Sequence, residues 1–301
     1  MASIREIGDE IYQIEPEGIE RGIPSSVYFI DDEKKTLIET GPASQIPQVL
    51  EALKRLGHGA VGLSYIIPTH IHIDHAGGCG ELTRHTPHAR VIAHPMGASH
   101  MEEPSRLIEG IRMAFGENFE EEFGPILPIP KSMIQVAEDG EAIPLGKREL
   151  KILHTPGHAP HHICIYDTKS EGLFCGDELG GYLPDSDTLI SGAAPPIFAL
   201  DKNLESIERI RKLSPRMLIF SQFGVGRDVM GMLDRVEETV NTMGGIILGG
   251  MKAGKGKELI LESLSPHLKW VGNIKCKLLR ENSLNYIIPA YTSYFKSKGM
   301  V

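Results

Sequence analysis

Apolar and polar positions follow one period at the start of the chain, a second soon after, and a single period at the end. Residues 4–14 alternate around a Gly8-Asp9 turn, the pattern of a half-buried hairpin. Residues 27–30 and 36–38 predict a second hairpin, closed by the charged turn at 31–35. From Gln45 to Leu56 the period lengthens, with Ile46, Val49, Leu50, Leu53 and Leu56 at helical spacing. A strand at 63–67, a short helix ending before Pro87 and a strand at 90–93 follow. The order is hairpins first, then alternating helix and strand.

Residues 95–135 show no strand pattern. They hold several Pro and Gly, an acidic run (Glu117, Glu120, Glu121, Glu122) and four methionines (Met96, Met101, Met113, Met133). One helix is predicted there, from about Pro104 to Phe115. A segment this long without sheet reads as a lid or binding loop, its acidic run as a solvated face. Strand patterns resume at Glu141 and recur at 149–153, 163–166 and 173–175. A helix is marked by Leu204, Ile207, Ile210 and Leu213, and 217–220 is a last buried strand. Beyond Gly226 every pattern is helical, opening on Val229, Leu233, Val236, Val240 and Met243. This change divides the chain into a domain of residues 1–225 and a helical extension of residues 226–301.

Composition narrows the function classes. With 41% apolar and 24% charged residues among 301, the chain has material for a sizeable core. A net charge of −9 argues against a nucleic-acid partner, which favours a basic face. The first residues lack a signal-peptide pattern, and no apolar run approaches the roughly 20 residues of a membrane span. Cys79, Cys164, Cys175 and Cys276 form no Cys-x-x-Cys pair, so buried thiols in a reducing cytoplasm are expected. Cys79 lies near the densest cluster of polar residues and is read as a small buried side chain, not a ligand. The aromatic cluster near the C-terminus (Tyr286, Tyr291, Tyr294, Phe295) suggests a surface covered by the chain itself or by a second copy, so a homodimer is expected.

The chemistry concentrates in Thr69-His70-Ile71-His72-Ile73-Asp74-His75-Ala76-Gly77-Gly78. Three imidazoles and a carboxylate in six residues form a donor set for zinc, iron or manganese. If the chain stays extended past Pro68, His70, His72 and Asp74 project to one side, and His75 breaks the alternation. Two later strands end in further donors: His154-Thr155-Pro156-Gly157-His158 and Phe174-Cys175-Gly176-Asp177. Loops at strand ends are where α/β folds build sites.

His-x-His-x-Asp-His, then Thr-Pro-Gly-His, then Gly-Asp, in this order, resembles the metallo-β-lactamase-fold hydrolase superfamily, in its glyoxalase-II and lactonase-like branch. The resemblance covers about residues 4–225 and implies an α/β (α+β) fold, a four-layer αββα sandwich. It implies that His70, His72 and His158 hold a first metal, that Asp74 and His75 hold a second, and that Asp177 bridges them. The cofactor implied is zinc, one or two ions, with iron or manganese admitted by the same donors. Gln222 stands where many members carry a last histidine, and a neutral amide oxygen is a weaker zinc ligand than imidazole. The second site is therefore expected to be the weaker one. The implied reaction is hydrolysis of a small ester, thioester or lactone by metal-bound hydroxide, with Asp74 as the catalytic carboxylate orienting it. Two other readings stay open: an iron-dependent oxygenase on a glutathione or persulfide substrate, and a binding module that has lost activity through Gln222. Tyr182 is weighed as an oxyanion donor, and His161, His162 and His94 as residues near the site.

Overall fold

In the computed structural model, residues 1–17, 25–274 and 277–301 are described; Cys276 lies outside them. The chain divides into two compact units, one of residues 1–154 and 163–174, the other of residues 155–162 and 175–301.

The first unit opens with an antiparallel run of β1 (Ser3–Gly8), β2 (Ile11–Glu15), β3 (Val27–Ile30) and β4 (Lys35–Ile38). Helix α1 (Ile46–Arg55) then turns its Ile46, Val49, Ala52 and Leu53 face into the core. Pro47 suits its first turn, and Lys54 and Arg55 suit the negative end of its dipole. Strand β5 (Leu63–Ile67) lies parallel to β4. Two short helices, α2 (Ile73–Ala76) and α3 (Cys79–Thr83), lead to β6 (Arg90–Ala93), parallel to β5.

The segment read as a lid without sheet contains three helices: α4 (Pro95–Glu102), α5 (Ser105–Phe115) and α6 (Phe119–Phe123). It leads into a short strand, β7 (Ile134–Val136), parallel to β6. Strand β7 was invisible in the sequence because three residues are too few to show a period. The acidic run does face solvent at Glu117, Glu120 and Glu121, while Phe119 and Phe123 of the same stretch are buried. These two rings form a small apolar cluster with Ile73 and Ile111, so this segment packs on the helix that carries Asp74 and His75. Met101 and Met133 join the main core, whereas Met96 and Met113 are exposed.

An antiparallel meander completes the unit: β8 (Ala142–Pro144), β9 (Glu149–His154), β10 (Ile163–Asp167) and the start of β11 (Gly172–Gly176). Tyr28 of β3 meets Phe174 of β11 edge-on, with ring centroids 5.4 Å apart. At the turns of this unit sits Arg148, whose side chain is wholly buried. It donates to Asp32 at 3.0 Å, to Asp167 at 3.1 Å and to the Asp9 carbonyl at 2.6 Å.

The second unit contains a small hairpin of β12 (Gly181–Leu183) and β13 (Thr188–Ile190), then α7 (Leu200–Leu213). Strands β14 (Met217–Phe220) and β15 (Val225–Gly226) pair antiparallel. Three helices follow, α8 (Val229–Lys252), α9 (Lys257–Leu264) and α10 (Lys277–Ser297). Asp228 caps α8 through the Gly231 amide. Tyr291 and Phe295 are buried inside this unit, Tyr291 donating to the Val240 carbonyl at 3.1 Å and packing on Phe198. The aromatic cluster that suggested a homodimer is thus covered, at these two rings, by its own chain. Among the described residues no helix is long and apolar enough to cross a membrane.

Candidate metal centre

In the first unit the chain leaves β5 at Ile67 and does not stay extended through Asp74. Helix α2 begins at Ile73, so Asp74 and His75 stand in one helical turn, with His72 at its N-cap position. The correction has a local cause: Gly77 and Gly78 let the chain close against the loop after β4. The Gly78 amide donates to the Gly41 carbonyl at 2.8 Å, and a Cβ on Gly78 would stand 2.7 Å from Ile46.

One carboxylate organises this half. Glu39, at the end of β4, is fully buried and has a left-handed backbone, φ 64°. Its oxygens accept from the Thr69 amide at 3.0 Å and the Thr69 hydroxyl at 2.6 Å. With that hydroxyl proton committed, Thr69 Oγ1 accepts from His70 Nδ1 at 3.0 Å, which leaves the lone pair on His70 Nε2. Glu39 also accepts from His75 Nδ1 at 3.0 Å, leaving the His75 lone pair on Nε2. Two imidazoles therefore have their tautomers set by one acid, the arrangement that makes histidine a metal ligand. His70 Nε2 lies 2.8 Å from His72 Nδ1, and His75 Nε2 lies 3.3 Å from Asp74 Oδ2. Burial opposes ionisation of Asp74, but His75 and His72 beside it outweigh that and hold its carboxyl at about 2.

The second unit repeats the logic. His158 Nδ1 donates to the Gly192 carbonyl at 2.6 Å, so its Nε2 lone pair faces Asp177 Oδ2 across 3.9 Å. The Asp177 amide donates to His162 Nε2 at 3.1 Å, and His162 Nδ1 donates in turn to Thr155 at 2.9 Å. His162 thus fixes the loop that presents Asp177. Beneath both, Glu178 Oε2 accepts from the amides of Gly157 at 3.1 Å and His158 at 2.9 Å. Burial pushes the Glu178 carboxyl upward, while these amides, Ser206 and Asn203, all donors to it, pull it back toward the carboxylate. Gln222 is buried, and its main-chain carbonyl accepts from the Tyr182 amide at 3.0 Å. The Tyr182 hydroxyl is committed to Asp187 at 3.1 Å.

In each unit a histidine Nε2 faces a carboxylate, His75 toward Asp74 and His158 toward Asp177. Two acceptors that face each other repel unless a proton or a cation lies between them. The donor set of imidazoles and carboxylates fits a divalent cation. Glu39 and Glu178 escaped the sequence reading. Their one signal is an acidic residue flanking a run of buried strand residues, where solvent cannot serve it. Cys79 is buried against Thr40, and burial pushes its thiol up to about 12, so it is a packing residue.

His94 and His154 pair with each other. His94 caps α4 by accepting from the Met96 amide at 3.0 Å, and the His154 ring stacks 4.2 Å away, donating to the Ala137 carbonyl. Burial, then the neighbouring His154, lower His94 to about 4. An unfolded chain would take up this proton below roughly pH 6.5, while the folded one refuses it until about pH 4. Stability should therefore fall as pH drops from 6.5 to 4. Urea unfolding at pH 7 and pH 4.5 should show wild type losing about 2 kcal/mol more than His94→Asn, which keeps a cap without the titration. Equal losses would refute this.

The residues around these donors match known proteins. A family model described as the metallo-beta-lactamase superfamily matches residues 21–222. The chain belongs to the metallo-beta-lactamase superfamily. An archaeal member, the metallo-beta-lactamase fold-containing protein ST1585 of Sulfurisphaera tokodaii, is 26% identical over 67% of this chain and 73% of its own. The acyl-coenzyme A thioesterase MBLAC2 of Bos taurus is 25% identical over 58% of this chain and 64% of its own. A hydroxyacylglutathione hydrolase of Idiomarina loihiensis is 26% identical over 63% of this chain, which spans 56% of that relative. The crystal structure of TTHA1429, a metallo-beta-lactamase family protein of Thermus thermophilus, superposes with a TM-score of 0.71. It is 20% identical and covers 98% of this chain and 95% of that one. The superfamily's αββα fold, expected from the three motifs, is the fold of this chain.

Proposed function

We propose that this protein is a metal-dependent hydrolase of small thioesters, with esters and lactones as lesser substrates. The observation that carries the reading is the hydrogen bonding at His70, His75 and His158, where each Nδ1 is held by a protein acceptor, the arrangement in which proteins orient metal-binding imidazoles. Two sets of donors are of the types that suit a cation: His70, His72, Asp74 and His75 in the first unit, and His158 with Asp177 in the second. Zinc is the ion we assign, one firmly held and a second held more weakly because Gln222 offers an amide where an imidazole would bind better. When bound, such an ion acidifies water from a pKa of 15.7 to about 7 and polarises a carbonyl.

The chain's own residues then do the rest. Asp74, held at about 2, carries no proton at neutral pH and is too weak a base to store one, so it orients a water hydrogen by accepting it. Glu39 aims His75 directly and His70 through the Thr69 hydroxyl. The thioester preference draws on the two relatives whose names specify acyl-coenzyme A and hydroxyacylglutathione.

The test is a panel of acyl-coenzyme A, acylglutathione, aryl ester and lactone substrates, assayed with the zinc-loaded and chelator-stripped protein. Zinc-dependent turnover fastest on a thioester supports the reading. Iron with oxygen consumption would replace it with an oxygenase, and no turnover with metal bound would make the protein a binding module. Gln222→His should raise the affinity for a second zinc ion by roughly tenfold, read by titration calorimetry. An unchanged isotherm would remove Gln222 from the site.

A further inference from the structure

The second unit contains a carboxylate that belongs to neither donor set yet reaches both ligand-bearing loops. We infer that Glu178 is a positioning residue that fixes the spacing of His158 and Asp177 and so sets the affinity of the centre; this rests on the proposed metal site. Glu178 follows Asp177 directly in sequence and is 1% exposed. Its Oε2 accepts the amides of Gly157 and His158, so the side chain that leaves one ligand loop ends on the backbone of the other. Its Oε1 accepts from Asn203 Nδ2 at 3.1 Å, and the same amide group donates to the Glu178 carbonyl at 2.7 Å. Helix α7 therefore holds both ends of Glu178.

The contact leaves no slack. A Cβ on Gly157 would stand 2.2 Å from Glu178 Oε1 and 2.4 Å from the Asn203 Cα, so the turn can approach only as glycine. The Ala199 amide, at the start of α7, donates to the Gly157 carbonyl at 2.9 Å and closes the same turn from its other face. Gly192, whose carbonyl orients His158, is equally tight: a Cβ there would lie 2.3 Å from the Asp177 carbonyl. Both ligands of this unit are thus referred to one carboxylate. Moving its oxygens moves His158 through its own amide and Asp177 through the adjoining peptide.

A substitution that keeps the shape but spoils the acceptor separates positioning from packing. Glu178→Gln brings an NH2 group against either the two loop amides or Asn203, a donor facing donors. Zinc affinity, measured by competition with a chromophoric chelator, should fall roughly 10- to 100-fold, the range for groups that hold ligands in place. The visible spectrum of the cobalt-substituted protein should change band positions, since ligand geometry changes. Asn203→Ala should give a smaller loss of affinity in the same direction, and it decides the matter if Glu178→Gln does not fold. Wild-type zinc affinity and cobalt spectrum in the folded variants, even with a lowered unfolding temperature of the metal-free protein, would overturn the inference. Failure of the wild-type chain to bind zinc or cobalt would overturn the metal site itself.

Discussion

Replacing His158 with alanine is expected to abolish most hydrolysis and to release metal on dialysis. Of His158 and His162 in the second unit, His158 has the geometry a ligand needs: its Nδ1 proton is committed at 2.6 Å to Gly192, and its Nε2 faces Asp177. His162, four residues on, is excluded from that role because its Nε2 accepts from the Asp177 amide. His162 therefore has no lone pair to offer in place of the missing ligand. Loss of a ligand removes several kcal/mol of charge stabilisation from the transition state, roughly a thousandfold in kcat/KM. Elemental analysis after dialysis, beside the rate on the best thioester, checks both halves. A variant that keeps its metal and more than a tenth of its rate would refute the assignment.

The second large effect lies away from the donors. Arg148→Met should destabilise the protein by about 3–5 kcal/mol, a large part of the 5–15 kcal/mol that holds a typical domain together. Arg148, Asp32 and Asp167 are each buried to the last atom of their side chains. For Asp32, burial favours the neutral acid. The amides of Lys147 and Glu33, with Arg148, outweigh burial and hold it below the usual carboxylate range. Removing the guanidinium strands two buried negative charges. The triple change Arg148→Met, Asp32→Asn, Asp167→Asn should recover part of the loss, because it removes the stranded charges yet keeps oxygen acceptors for the Lys147, Glu33 and Ser170 amides. Urea unfolding of the single and triple variants tests the pair of statements. A single variant within 1 kcal/mol of wild type would show that water reaches the cluster.

These two sites mark what the sequence could and could not reveal. The donors of 70–75 were legible because six adjacent residues carry four ligating groups, a density that packing does not explain. The fold was legible because the strand and helix periods are written locally. Arg148, Glu39 and Glu178 were not, for a common reason. Each is a single charged residue whose partners are distant in sequence, Arg148 reaching back 116 positions to Asp32 and Glu39 forward 36 to His75. Nothing in a local window distinguishes them from surface charges. Asp74 was misplaced for a different reason: the alternation rule assumes that the strand continues, and the glycine pair allows an early helix instead.

The small cluster of Ile73, Ile111, Phe119 and Phe123 has a consequence for anyone who would redesign this protein. The segment over residues 104–126 looks like an interchangeable cover, the natural piece to swap for a new substrate range. It is also a foundation, since Phe119 and Phe123 seat the helix on which Asp74 and His75 stand. A graft that alters the outer face of this segment but keeps those two rings should leave the donors in register. A graft that discards them would move Asp74 and His75 along with the segment, and, if the proposed metal site holds, specificity and metal binding would change together.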